Sequence, residues 1–86
     1  MTGSEKQIKW ANDIINEIYA NLNDMEQMTQ ITKVNYSVDV VKAMRAEIEQ
    51  LFADPRVTAS MIIDVRGRFS RQQLESQAID RTNLTK

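Results

Sequence analysis

The sequence predicts an all-α protein, a compact bundle of three or four helices with a long N-terminal helix. Three observations carry this expectation. Ser4, followed three residues later by Gln7, is a capping-box pattern placed just ahead of Ile8, Ala11, Ile15, Ile18, Leu22 and Met25, whose spacings of three and four share one helix face. A second helical series, Val40, Val41, Met44, Ile48, Leu51 and Phe52, is closed by Asp54-Pro55, because the residue before a proline disfavours helical backbone. The third is another capping-box pattern, Ser70-Arg71-Gln72-Gln73, ahead of the apolar Leu74, Ala78 and Ile79.

The first helix is expected to start at about Glu5 and to end between Leu22 and Gln30, with Asn21-Leu22-Asn23-Asp24 as the place for a break. Its apolar stripe is widened by Ile14 and Tyr19 on the flanks. That breadth suits a globular bundle, since a two-stranded coiled coil needs charges there. Trp10 lies off the seam, near Ile14, and reads as a core filler with its indole N–H on solvent or a carbonyl, the alternative being an exposed anchor for a partner. The second helix covers about Ser37 to Ala53, the third element Thr58 to Arg66, and the fourth Ser70 to about Asp80. The polar tail, residues 81–86, is expected to fray. Residues 1–86 thus read as a single helical domain. The alternative is an α+β fold, because Val34, Tyr36, Val38 and Val40, and again Val57, Ala59, Met61, Ile63 and Val65, alternate with their neighbours, suggesting short strands near 33–40 and 57–66.

Composition excludes several chemistries. A chain of 86 residues without cysteine or histidine has no disulfide, no thiolate nucleophile, no imidazole base and no zinc site of the usual kind. No apolar run approaches the ~20 residues that span a bilayer, and Met1 to Glu5 lacks the basic and apolar regions of a signal peptide. A cytoplasmic protein without membrane attachment is the expectation. The formal net charge of −1 conceals a polarity: residues 1–55 carry five basic and nine acidic side chains, whereas residues 56–86 carry six basic and three acidic. Such a chain can steer its ends toward partners of opposite sign.

The string Gly3-Ser4-Glu5-Lys6-Gln7-Ile8, with Trp10-Ala11, resembles the N-terminal motif of a group of short bacterial and phage proteins to which no activity is assigned. Their later segment reads approximately Asp-Ala-x-aromatic-aromatic-Ile-Asp-x-Arg. Residues 58–66 are similar, keeping Ala59, Ile63, Asp64 and Arg66 but carrying Met61 and Ile62 in place of the aromatics. The resemblance implies a source in a bacterium, phage or mobile element, and helix rather than strand over 58–66. It transfers no catalytic residue.

The carboxylates do not converge. Glu47 and Glu49 point to different sides of a helix, and Asp13 and Glu17 share a face directed toward solvent. No catalytic residue, metal ligand or cofactor is therefore expected, and the protein reads as a non-enzyme. Asp64, between Ile63 and Val65, is expected near the core boundary, paired with Arg68 four residues on. The leading functional expectation is a protein-binding module whose surface comprises Arg66, Arg68, Phe69, Arg71 and Gln72, with Phe69 as apolar anchor. The resemblance adds the expectation of an inhibitor of a host protein machine, anti-CRISPR-like or otherwise anti-defence, with a host or phage protein as partner. A homodimer through helix 1 is a further possibility. The competing reading is a small helix-turn-helix regulator, with 58–66 as first helix, Gly67-Arg68-Phe69 as turn and Ser70 to Asp80 in the major groove. The acidic balance of the whole chain places nucleic acid second.

Overall fold

The computed structural model describes residues 2–84. They form α1 (Glu5–Ile31), α2 (Val38–Ala53), α3 (Ala59–Val65), a 3₁₀ turn (Arg66–Phe69) and α4 (Arg71–Leu84). Each helix begins at a hydroxyl residue. The Ser4 hydroxyl accepts from the Gln7 N–H while Gln7 Oε1 accepts from the Ser4 N–H, both at 3.2 Å, so the capping box closes in full. Ser37, Thr58 and Ser70 accept from the N–H groups of Val40, Met61 and Gln73 at 3.3, 3.2 and 3.4 Å. After α2, Asp54 accepts from the Arg56 backbone and guanidinium, which turns the chain toward α3. The Arg56 guanidinium holds the Asp54 carboxyl below the usual carboxylate range.

The 27 residues of α1 run unbroken, about 40 Å at 1.5 Å per residue, and account for the 42 Å long axis of the molecule. The break expected at residues 21–24 is absent because distant groups hold that stretch in the helix. Leu22 and Met25 are fully buried, Asn23 Oδ1 accepts from Arg45 of α2 at 2.6 Å, and Asp24 pairs with Arg71 of α4 at 2.7 Å. Low intrinsic propensity at Asn21, Asn23 and Asp24 is a weak preference that such packing overrides.

α2 turns back along α1, with Arg45 on Glu26 at 3.1 Å, and α4 runs antiparallel along α2, with Arg81 on Glu47 at 2.7 Å and the Ser37 N–H on Thr82. Between them α3 crosses the first half of α1. One core results, built from Ala11, Ile14, Ile18, Leu22 and Met25 of α1, Tyr36, Val41, Met44 and Ile48, and Ala59, Ile62, Ile63, Leu74 and Ala78. Ile14, read from the sequence as a flank, is buried, while Ile15 of the expected seam is only partly so. The apolar stripe of α1 is therefore covered by the chain's own helices.

Among the described residues there is no strand. Over 57–66 the buried residues are Ala59, Ile62 and Ile63, a spacing of three and one that belongs to a helix, while Met61, which a strand would turn inward, is half exposed. Over 33–40 the alternation arises differently: Val34 and Tyr36 dip from a loop into the core before Ser37 opens α2. Of the tail expected to fray, residues 81–84 continue α4, with Arg81 on Glu47 and the Thr82 hydroxyl on the Ala78 carbonyl at 2.8 Å. Residues 85 and 86 of that tail lie outside the described residues.

Tyr36 is 8% exposed, and burial pushes its phenol up, with the nearby Glu75 adding to the effect and Arg71 opposing it by charge and hydrogen bond. Tyr19 is raised in the same direction by burial and then Glu49. An unfolded chain ionises its tyrosines near pH 10, before the folded one does, so above that pH the unfolded state binds fewer protons and gains ground. Stability is expected to be level from pH 8 to about 10 and to fall above it. Melting temperatures across pH 8–11.5, for the parent and Tyr36→Phe, check this: the variant should show the shallower decline.

Candidate protein-interaction face

The two stretches that carry the resemblance lie against each other. The Ala59 N–H, left without an intrahelical partner at the start of α3, donates to the Thr2 carbonyl at 2.9 Å. Gly3 holds φ at +150°, and a Cβ there would stand 3.0 Å from the Ala59 Cβ and 3.2 Å from Gln7 Oε1. Glycine is required by backbone and by space together. Gly3→Ala is expected to cost more than about 1 kcal/mol, a fall in melting temperature of roughly 4–8 °C per kcal/mol. Gly67, by contrast, has no positive φ and nothing within 4 Å of an added Cβ, so it is neither the conformational turn residue of a helix-turn-helix nor a left-handed cap. Gly67→Ala should leave stability unchanged or raise it by under about 1 kcal/mol. Differential scanning calorimetry of the two variants separates these expectations.

From that clasp the chain climbs along α1. Ala59 faces Gly3, the Arg66 guanidinium lies 5.3 Å from the centre of the Trp10 ring, Phe69 and Ser70 reach the level of Ile14 and Glu17, and Arg71 meets Asp24. The result is a groove of about 230 Å³ whose floor is Ile14, Ile18 and Phe69 and whose rim carries Trp10, Arg66 and Glu17. Trp10 is 49% exposed, which corrects its reading as a core filler. It follows Lys9 and precedes buried Ala11, and one residue of helix rotates a side chain by 100°, out of the seam. A half-exposed tryptophan under a guanidinium gains a cation–π contact worth about 0.5–1 kcal/mol at such sites.

The surface expected from sequence is divided by the structure. Arg66 covers Trp10 and donates from Nη1 to the Ile63 carbonyl at 2.5 Å. Arg68 and Gln72 are exposed. Phe69 is half buried and meets Phe52 edge-on, with ring centres 5.9 Å apart at 62°, so part of the expected anchor belongs to the core. Arg71 bridges Asp24 of α1 and Glu75 of its own helix, both at 2.7 Å. Its burial opposes the charge, yet the bonds to Glu75 and Asp24 prevail and raise its pKa. Asp64 is exposed, with no ion pair to Arg68 among the described residues, because residues 66–69 tighten into a 3₁₀ turn that takes the two off a common helical face. Sequence reasoning placed Trp10 in the core; the signal that would have moved it out was its own departure from the seam.

Among the described residues no group of three or more acidic side chains is placed to hold a metal ion, and no helix is long and apolar enough to cross a membrane. No known protein family, curated protein or solved structure matches the chain.

Proposed function

We propose that this protein acts by binding another protein through the face centred on Trp10 and Arg66, with Arg68, half-buried Phe69 and Gln72 beside it and Arg71 fastening the base of α4 beneath. The observation that carries the reading is the half-exposed Trp10, stacked under Arg66 at the mouth of an apolar-floored groove. Tryptophan and arginine dominate the energetics of protein interfaces, and a rigid indole gives up little conformational freedom on binding. The resemblance to short phage and bacterial proteins supports the narrower form of this proposal, a cytoplasmic, non-enzymatic inhibitor of a host machine of the anti-CRISPR or other anti-defence kind.

The helix-turn-helix reading is weaker on charge. Arg71, at the start of the helix that would enter the major groove, is matched by two carboxylates, and the exposed residues that follow on α4 are Gln72, Gln73, Ser76, Asp80, Asn83 and Leu84. Affinity for nucleic acid rises with the number of phosphates neutralised, and this helix offers few cations for that purpose. Affinity capture from a bacterial lysate, with and without nuclease and with Trp10→Ala in parallel, tests the proposal. A retained protein that survives nuclease and is lost from the variant supports it; retention only with intact nucleic acid, or capture indifferent to Trp10, overturns it.

A further inference from the structure

The chain has six arginines, and four of them meet carboxylates: Arg45 on Glu26 at 3.1 Å, Arg56 on Asp54, Arg71 on Asp24 and Glu75, and Arg81 on Glu47, these at 2.7 Å. Three of these arginines, Arg45, Arg71 and Arg81, tie one helix to another. The polarity seen in the sequence is in large part cancelled inside the fold. Arg66 and Arg68 differ, since neither pairs with a carboxylate among the described residues, and both are exposed two residues apart on the 3₁₀ turn. Arg66 lines the groove that Trp10 opens, and Arg68 follows it on the same turn.

We propose that the groove takes an acidic segment of a partner protein, one that carries an apolar side chain flanked by aspartate or glutamate. The inference rests on the protein-binding reading above and names the chemistry of the partner. An arginine is always charged, and its planar fork matches a carboxylate in two parallel hydrogen bonds. Arg66 gives one N–H to the Ile63 carbonyl and holds its guanidinium 5.3 Å from the centre of the Trp10 ring, which leaves the other N–H groups of the fork for a carboxylate. Arg68, exposed two residues further along the 3₁₀ turn, supplies a second cation near one end of the groove. Ile14, Ile18 and Phe69 beneath receive the apolar side chain, and its burial there selects this segment from acidic chains in general. Glu17 lines the same groove, so a segment enters with its carboxylates toward the 3₁₀ turn and a backbone N–H or hydroxyl toward Glu17. The same Glu17 opposes a phosphate backbone, which must bring successive negative charges along the groove.

Trp10 is the only tryptophan, so its emission reports on this groove alone. The full chain is titrated with a short peptide of aspartate and glutamate around one central leucine. Parallel titrations use the same peptide with serine for leucine, the lysine counterpart, and a short DNA duplex. A saturable change in Trp10 emission is expected with the leucine-bearing acidic peptide. The double variant Arg66→Gln, Arg68→Gln should weaken it by about tenfold or more, the loss of roughly 1.4 kcal/mol. The serine peptide should bind several-fold more weakly and the lysine peptide not at all. Since both arginines are exposed, the variant should melt within a few degrees of the parent, which keeps folding out of the comparison. No saturable response, a response indifferent to the two arginines, or an equal response to the duplex overturns the inference. If the peptide fails while lysate capture still depends on Trp10, the acidic-segment inference falls and the protein-binding reading stands.

Discussion

Replacing Leu22 by alanine is expected to lower the unfolding free energy by about 3–5 kcal/mol, the cost of emptying a well-packed leucine site. Leu22 has no solvent exposure and sits where the other helices pack on α1, just ahead of Asn23, which holds Arg45, and Asp24, which holds Arg71. A domain of this size is stable by only roughly 4–13 kcal/mol, at about 0.05–0.15 kcal/mol per residue, so the variant should be close to unfolding at physiological temperature. Urea denaturation reads the effect as a lower midpoint with an unchanged slope. Asn23→Ala, which removes a contact at an exposed position, should cost about 1 kcal/mol or less. Were α1 to break at residues 21–24, the two substitutions would cost similar small amounts, and that equality would contradict the continuous helix.

The second large effect is expected in binding rather than in stability. Trp10→Ala should weaken the complex with the captured partner by about 2–4 kcal/mol, roughly 30- to 700-fold, as truncation of a central aromatic anchor does. Its effect on folding should stay near 1 kcal/mol, because half the side chain is already in solvent and its main intramolecular contact is the Arg66 stack. Trp10→Phe keeps a ring beneath Arg66 and should recover part of the affinity. Arg66→Lys keeps the charge, loses the guanidinium over the ring, and should not. Titration calorimetry with the purified partner, beside melting curves of each variant, checks the separation. A Trp10→Ala protein that melts far below the parent while binding normally would reassign the residue to the fold.

What the sequence disclosed divides by distance along the chain. The starts of all four helices were legible because a hydroxyl and an N–H three residues away are local partners, as at Ser4 and Gln7 or Ser37 and Val40. The end of α1 was not, because Asn23 and Asp24 stay helical through Arg45 and Arg71, 22 and 47 residues further on. For the same reason Arg71 read as a free surface cation, when a carboxylate of α1 awaited it. The strand-like alternation over 33–40 and 57–66 misled by coincidence of period, and burial at Ala59, Ile62 and Ile63 resolves it in favour of a helix. Gly3 showed only as part of a motif; its reason is the Cβ of Ala59, 56 positions away. Of the proposed interaction face, the arginines and Phe69 were visible as a cluster in sequence, whereas Trp10 joined them only when α3 and the 3₁₀ turn were laid along α1.

The central claim is that partner protein meets the Trp10 face. With 5-fluorotryptophan at the single tryptophan position, one ¹⁹F resonance reports on that groove, and an unlabelled partner adds no signal. This resonance should shift and broaden when the partner is added, and lose its sensitivity to a soluble paramagnetic quencher as the ring is covered. A resonance that stays in place and remains open to the quencher in a fully formed complex would contradict it.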